Sequence, residues 1–169
     1  AWEDEEVTAP DIRLIAVDMD GTLCDVATAL HLLPDLDAFH VATRGCPPTT
    51  HVVEWCERAH ADGHAVIVVT SRMYRHEQGT VDWLSEHLAH IPHVGPLMRG
   101  DLDRRSDDEV KLDILRIIRD DLGYDVVAAI DDRPRVIRLW RAQGIPTTVV
   151  HRADWEAAGE PYDPDDASA

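Results

Sequence analysis

"AVDMDGTLCD", residues 16–25, sets Asp18 and Asp20 two positions apart where an apolar run ends, and follows them with Gly21. A lone Asp at a strand end commonly forms a turn or caps a helix. Two carboxylates two positions apart raise the question of what else gathers at that strand end. The rest of the chain decides which edge of which sheet this stretch leaves.

"IRLIAV" and "AVIVV" are short β-branched runs without polar alternation, and "VVAAI" and "IPTTVV" repeat the pattern. Such runs are strands covered on both faces. Between them the spacing predicts helices. Residues 48–62 follow Pro47 and end at Gly63, and "TVDWLSEHLAH" puts Val81, Leu84 and Leu88 on one face. "SDDEVKLDILRIIRDDLG" opens on Ser106 with acids in its first turn and stops at Gly123, and "RPRVIRLWRAQG" carries Pro134 in its first turn. Strands alternating with helices imply right-handed crossovers and an α/β fold with a doubly wound parallel sheet.

In such sheets ligands collect beyond the carboxyl ends of the strands. Asp18 and Asp20 leave the first strand there, Thr70 leaves the second, and Asp131 with Asp132 leaves a later one. Strand polarity alone makes these groups neighbours. Four clustered carboxylates repel one another, and a divalent cation relieves that repulsion. Hard oxygen ligands in a site that also takes phosphate favour Mg²⁺.

The 169 residues are enough for one domain with a real core. No apolar run approaches the roughly 20 residues of a bilayer-spanning helix, so no membrane partner is expected. No stretch reads as a signal peptide, and the three cysteines, Cys24, Cys46 and Cys56, lack a CxxC pair. A cytoplasmic location is the expectation. Ala1 in place of Met suggests flanking domains outside this sequence, and oligomeric state is not indicated. The net charge is −17, but residues 1–11 carry five acids and residues 153–169 carry six, with no Lys or Arg in either. Both ends are expected to be solvated, partly disordered tails around a domain at 12–152, where 22 acids face 16 bases, a charge near −6.

The residues that leave the sheet resemble the haloacid dehalogenase superfamily of phosphatases. "DMDGTL" matches its first motif, "VIVVTSR" its second, Lys111 its third and "AIDDR" its fourth. Lys111 is the single lysine among 15 arginines, which hints that a compact ammonium is required there. The resemblance implies that Asp18 attacks phosphorus to form an aspartyl-phosphate and that Asp20 serves as acid and then base. It implies that Thr70 and Lys111 hold phosphoryl oxygens. It also implies that Asp18, Asp20 through its carbonyl, Asp131 and, less directly, Asp132 hold Mg²⁺.

"VVTSRMYRHEQGTVDWL", "LMRGDLDRRSDDEVKLDIL" and "AIDDRPRVIRLWRAQGI" further resemble the phosphatase domain of polynucleotide kinase, which removes 3′-phosphates from nucleic-acid ends. That likeness implies substrate contacts from Arg72, an ordering role for Asp107, and Ser71 in place of the usual Gly. The phosphate-binding loop of a kinase half is absent from these residues. Residues 24–46 are too short for a large cap domain, so an open site is expected. Arg72, Arg75, Arg99, Arg104, Arg105 and Arg133 are candidates for a basic rim, and the acidic core implies weak, salt-sensitive binding of a 3′ end. The alternatives are a phosphatase of mononucleotides or other small phosphomonoesters and a non-catalytic interaction module on the same fold. Trp55, Trp83 and Trp140 are expected to pack on the sheet, and Trp155 to pin the C-terminal tail.

Overall fold

The computed structural model describes residues 11–166; the N-terminal acidic stretch is therefore outside it except for Asp11. Five parallel strands form one sheet in the order β3-β2-β1-β4-β5, with β1 at Arg13–Val17, β2 at Ala65–Met73, β3 at His93–Arg99, β4 at Asp125–Asp131 and β5 at Thr147–Val149. Ile15 stands opposite Val66 on one side and Ala128 on the other, so β1 is the central strand. The chain order reverses at β1. It is the switch point, and its carboxyl end leads into Asp18.

The unbroken apolar character of the strands follows from helices on both faces. Ile15, Val17, Val66, Val68 and Ile130 pack with Phe39 of α1 (Leu36–Thr43), Val52 and Cys56 of α2 (Thr50–Ala61), and Trp83 and Leu84 of α3 (Glu77–His87). Leu14, Ala16, Ile67, Val69 and Ala129 face the other way, onto Val110 and Ile114 of α4 (Asp107–Arg116) and Val136 and Trp140 of α5 (Pro134–Ala142). Successive residues of each strand thus enter opposite cores, which is the two-residue period of a pleated strand. Trp83 and Trp140 are fully buried, whereas Trp55 is only partly covered.

Strand β3 was not legible in the sequence. Gly95 and Pro96 interrupt its apolar pattern, and an edge strand tolerates them because one side of its backbone needs no partner. The helix expected to reach Gly123 changes winding after Arg116, and Ile117–Asp121 form a π turn.

The C-terminal stretch differs from the expected solvated tail. Residues 153–157 form a short helix, α6, and Tyr162 is buried, its hydroxyl donating to the Asp132 carbonyl and accepting from the Arg152 amide at 2.9 Å. Glu160 takes both Arg133 nitrogens, Nε at 3.0 Å and a terminal nitrogen at 2.6 Å. Clustered acids mark a tail only when they lack partners, and here arginines of the domain supply them. Tyr162→Phe orphans a buried carbonyl and an amide. It is expected to lower the unfolding free energy by about 1–3 kcal/mol in urea titration, whereas a tail residue would change it by less than about 0.5 kcal/mol.

Candidate active site

The peptide that follows β1 turns sharply at Gly21, with φ of +80°. A Cβ at this position would also lie 1.8 Å from an Arg152 guanidinium nitrogen, so both conformation and space demand glycine. The turn brings Asp18 and Asp20 to the carboxyl edge of the sheet. Asp131 is the last residue of β4, Asp132 follows it, Thr70 and Ser71 lie near the end of β2, and Lys111 comes from the second turn of α4.

Asp18, Asp131 and Asp132 converge, each offering a carboxylate oxygen within 4.8 Å of the others, and all three are buried. Lys111 Nζ donates to Asp18 at 2.7 Å and to Asp131 at 2.8 Å. Burial and repulsion from Asp131 hold the Asp18 carboxyl well above the usual carboxylate range, with Lys111 opposing them. Burial and Asp131 also raise Asp132. For Lys111, burial pulls the other way, but Asp131 and Asp18 outweigh it and keep the ammonium charged. Three buried oxygen ligands that still repel each other around one ammonium fit a hard divalent cation such as Mg²⁺.

Asp20 is set apart from this cluster. Arg72 grips it, Nε at 3.0 and 3.1 Å and a terminal nitrogen at 2.6 Å, while its other terminal nitrogen reaches Thr80 at 3.0 Å. Burial raises Asp20, and the Arg72 charge and hydrogen bonds more than reverse it, leaving its carboxyl below the ordinary value. Arg72, expected to touch substrate, is therefore engaged with Asp20 and almost fully buried. Asp107 bonds Arg99 at 2.7 Å and also Arg133; burial raises it, and Arg133 leads the charges that bring it down. Thr70 Oγ1 accepts the Arg72 amide at 3.2 Å, which leaves its hydroxyl proton for another oxygen. Ser71 Oγ is buried without a hydrogen-bond partner among the described residues. A buried orphan hydroxyl is costly unless a ligand satisfies it.

These groups share a cavity of about 770 Å³. The short segment after the first motif does not leave that cavity uncovered on all sides: Val26, Leu30, Leu33, Leu36 and Phe39 form an apolar wall. The basic rim is largely neutralised. Arg75 pairs with Asp37, Arg99 with Asp107, Arg105 with Asp103 and Asp113, and Arg133 with Asp107 and Glu160.

Four further residues hold the site, none of them assigned to it from the sequence. Thr22 Oγ1 lies 3.0 Å from Asp18 and 2.8 Å from Asp132. Arg152 and Trp155 Nε1 both donate to Asp132 Oδ2, at 2.9 and 2.7 Å. His40 stands 3.7 Å from Asp20, and burial pulls its pKa down to about 4, so the ring is neutral. Arg152 was within reach of strand-end reasoning, since it lies three residues beyond β5. Trp155 fell in a stretch taken for tail, and nothing local marks His40.

A family model described as the polynucleotide kinase PNKP phosphatase domain matches residues 12–155. A search of curated proteins found no match. Among solved structures, a chain of the Pnkp1/Rnl/Hen1 complex superposes with a TM-score of 0.68 at 22% identity, over 87% of this chain and 51% of that one. The sequence thus spans about half of that neighbour's length. The D,D-heptose 1.7-bisphosphate phosphatase from B. bronchiseptica, complexed with magnesium and phosphate, gives 0.59 at 16% identity over 90% of this chain and 89% of that one. The class C acid phosphatase from Bacillus anthracis gives 0.59 at 14% identity over 89% and 72%. No helix among the described residues is long and apolar enough to cross a membrane.

Removing the ammonium tests the charge balance. Lys111→Met leaves Asp18 and Asp131 buried without their cation, and is expected to cost about 3–5 kcal/mol of stability at neutral pH. The loss shrinks as pH falls, because the buried Asp18 carboxyl, already raised, binds a proton more readily folded than unfolded. Chemical denaturation at neutral and at mildly acidic pH measures both.

Proposed function

The chain belongs to the family of polynucleotide kinase PNKP phosphatase domains, and from that premise we propose that it is a Mg²⁺-dependent phosphomonoester hydrolase that removes 3′-phosphates from nucleic-acid ends. The observation that carries the reading is the meeting of Asp18, Asp131 and Asp132 at the switch point of the sheet, with Lys111 bridging the first two.

The chemistry assigned to these residues has two displacements. An Asp18 oxygen attacks phosphorus, a P–O bond forms to the carboxylate, and the ester P–O bond breaks. Asp20 donates a proton to the departing alkoxide. Water then attacks the aspartyl-phosphate, Asp20 takes its proton, and the bond from phosphorus to Asp18 breaks to release inorganic phosphate. Mg²⁺, held by the Asp18 and Asp131 carboxylates and the Asp20 carbonyl with Asp132 behind them, would supply cancellation of charge between the phosphoryl group and its nucleophile.

The side chains around this centre have separate tasks. The Thr70 hydroxyl proton, the unpartnered Ser71 hydroxyl and Lys111 are suited to phosphoryl oxygens. Asp20 must carry a proton in the first step, and Arg72 opposes that while it holds the carboxylate. A dianionic substrate competes for the Arg72 guanidinium. Drawing Arg72 toward phosphate lifts its hold on Asp20 and lets the carboxyl accept a proton. Asp107 keeps Arg99 and Arg133 in place at the cavity edge. The pairing of rim arginines with acids favours one competing reading, a phosphatase of mononucleotides or other small phosphomonoesters. An interaction module has no use for an unspoiled set of Asp18, Asp20, Thr70, Lys111 and Asp131.

A panel of a 3′-phosphorylated oligonucleotide, its 5′-phosphorylated counterpart and free mononucleotides at equal Mg²⁺ separates the readings. The 3′ end is expected to be turned over with the highest kcat/KM, and Asp18→Asn to reduce phosphate release by at least about 10³-fold. Preference for mononucleotides would favour the small-substrate reading, and no turnover of any member would favour the module.

A further inference from the structure

The cavity is much larger than a phosphoryl group needs, and its volume of about 770 Å³ lies in the range of sites that hold a whole small ligand. Its two outer walls differ in chemistry. One is the apolar wall of the segment after the first motif, where Leu33 is 42% and Leu36 50% exposed. The other is the loop after β3, which carries Leu102, 92% exposed, and Arg104. Single exposed leucines are ordinary on a protein surface. Three that line one cavity, beside the buried Val26 and Phe39, are a contact surface left open.

Arg104 is distinguished by its lack of a partner. Seven arginines line the cavity: Arg72, Arg75, Arg99, Arg105, Arg133 and Arg152 each pair with a carboxylate, and Arg104 pairs with none among the described residues. It is exposed and has no competing acid to displace. An anion at the mouth therefore meets one guanidinium free to bind it.

We infer that this outer cavity is a subsite for the 3′-terminal nucleotide of a single strand: the base lies against Leu33, Leu36 and Leu102, and Arg104 binds the phosphodiester on its 5′ side. The inference rests on the proposed 3′-phosphatase reading. The residues of 26–39 that line the cavity, Val26, Leu30, Leu33, Leu36 and Phe39, are all apolar, so this wall holds a base by apolar contact. A domain with 22 acids against 16 bases and a single unpaired arginine at the mouth is matched to one backbone phosphate rather than to both strands of a duplex.

The test compares three phosphomonoesters at several salt concentrations: a 3′-phosphorylated oligonucleotide, a nucleoside 3′-monophosphate and glycerol phosphate. Arg104→Ala is expected to lower kcat/KM for the oligonucleotide about fivefold at low salt and to make its slope of log(kcat/KM) against log[salt] shallower by about 0.7, the value for one phosphate of a single strand. The other two substrates should not change. Leu33→Ser with Leu36→Ser should lower kcat/KM for both base-bearing substrates and spare glycerol phosphate, whose turnover also reports that the variant is folded. Equal effects on all three substrates, or no effect on any, would overturn the subsite. A wild-type protein that hydrolyses glycerol phosphate but no 3′-phosphorylated end would overturn the proposed function itself. Turnover of the 3′ end by wild type with both variants indistinguishable from it would overturn the subsite alone.

Discussion

The Lys111 ammonium, held between Asp18 and Asp131, is the contact on which the arrangement depends. Each buried ion loses several kcal/mol of hydration, about the size of a whole domain's stability when three or four are gathered together. One ammonium returns part of that loss by touching two carboxylates at once. It does not balance the third acid, Asp132, which instead draws on Arg152, Trp155 and Thr22. The cluster keeps unrelieved repulsion: burial and Asp131 raise both the Asp18 and the Asp132 carboxyl. That residue of strain is what a divalent cation would discharge.

The fold makes this concentration of charge tolerable. Strands β1 and β4 are neighbours, so Asp18 and Asp131 meet because parallel strands end on the same edge. The C-terminal stretch then closes around the pair. Tyr162 anchors the Asp132 backbone, Glu160 fixes Arg133, and the Arg133 guanidinium lies 4.6 Å over the Trp155 ring. The acids outside the cluster thus set the arginines that serve it. Asp20 follows a different rule, since Arg72 isolates it from the cluster and gives it an environment opposite to that of Asp18. Two carboxylates two residues apart acquire different protonation behaviour from their partners rather than from their own chemistry.

Much of this was legible in particular residues. The doubly wound sheet followed from four apolar runs, and the meeting of Asp18, Thr70 and Asp131 followed from strand polarity. What escaped were features set by long-range pairing. Gly95 and Pro96 hid an edge strand, because local pattern does not reveal which side of a strand lacks a neighbour. Glu160 and Asp166 read as solvated tail, since nothing nearby in sequence announces Arg133 and Arg141 as partners. The same blindness applied to the basic rim. Arginine positions are visible in a sequence, but whether a carboxylate already occupies each one depends on the fold.

The central claim is that Asp18 takes the phosphoryl group within this acidic cluster. Rapid acid quench of the protein with Mg²⁺ and a 3′-phosphorylated oligonucleotide, followed by mass spectrometry of its peptides, tests it directly. The account predicts a mass gain of one phosphoryl group on the peptide containing Asp18, absent when Mg²⁺ is chelated. Phosphate release with no such adduct, or an adduct on a peptide lacking Asp18, would contradict it.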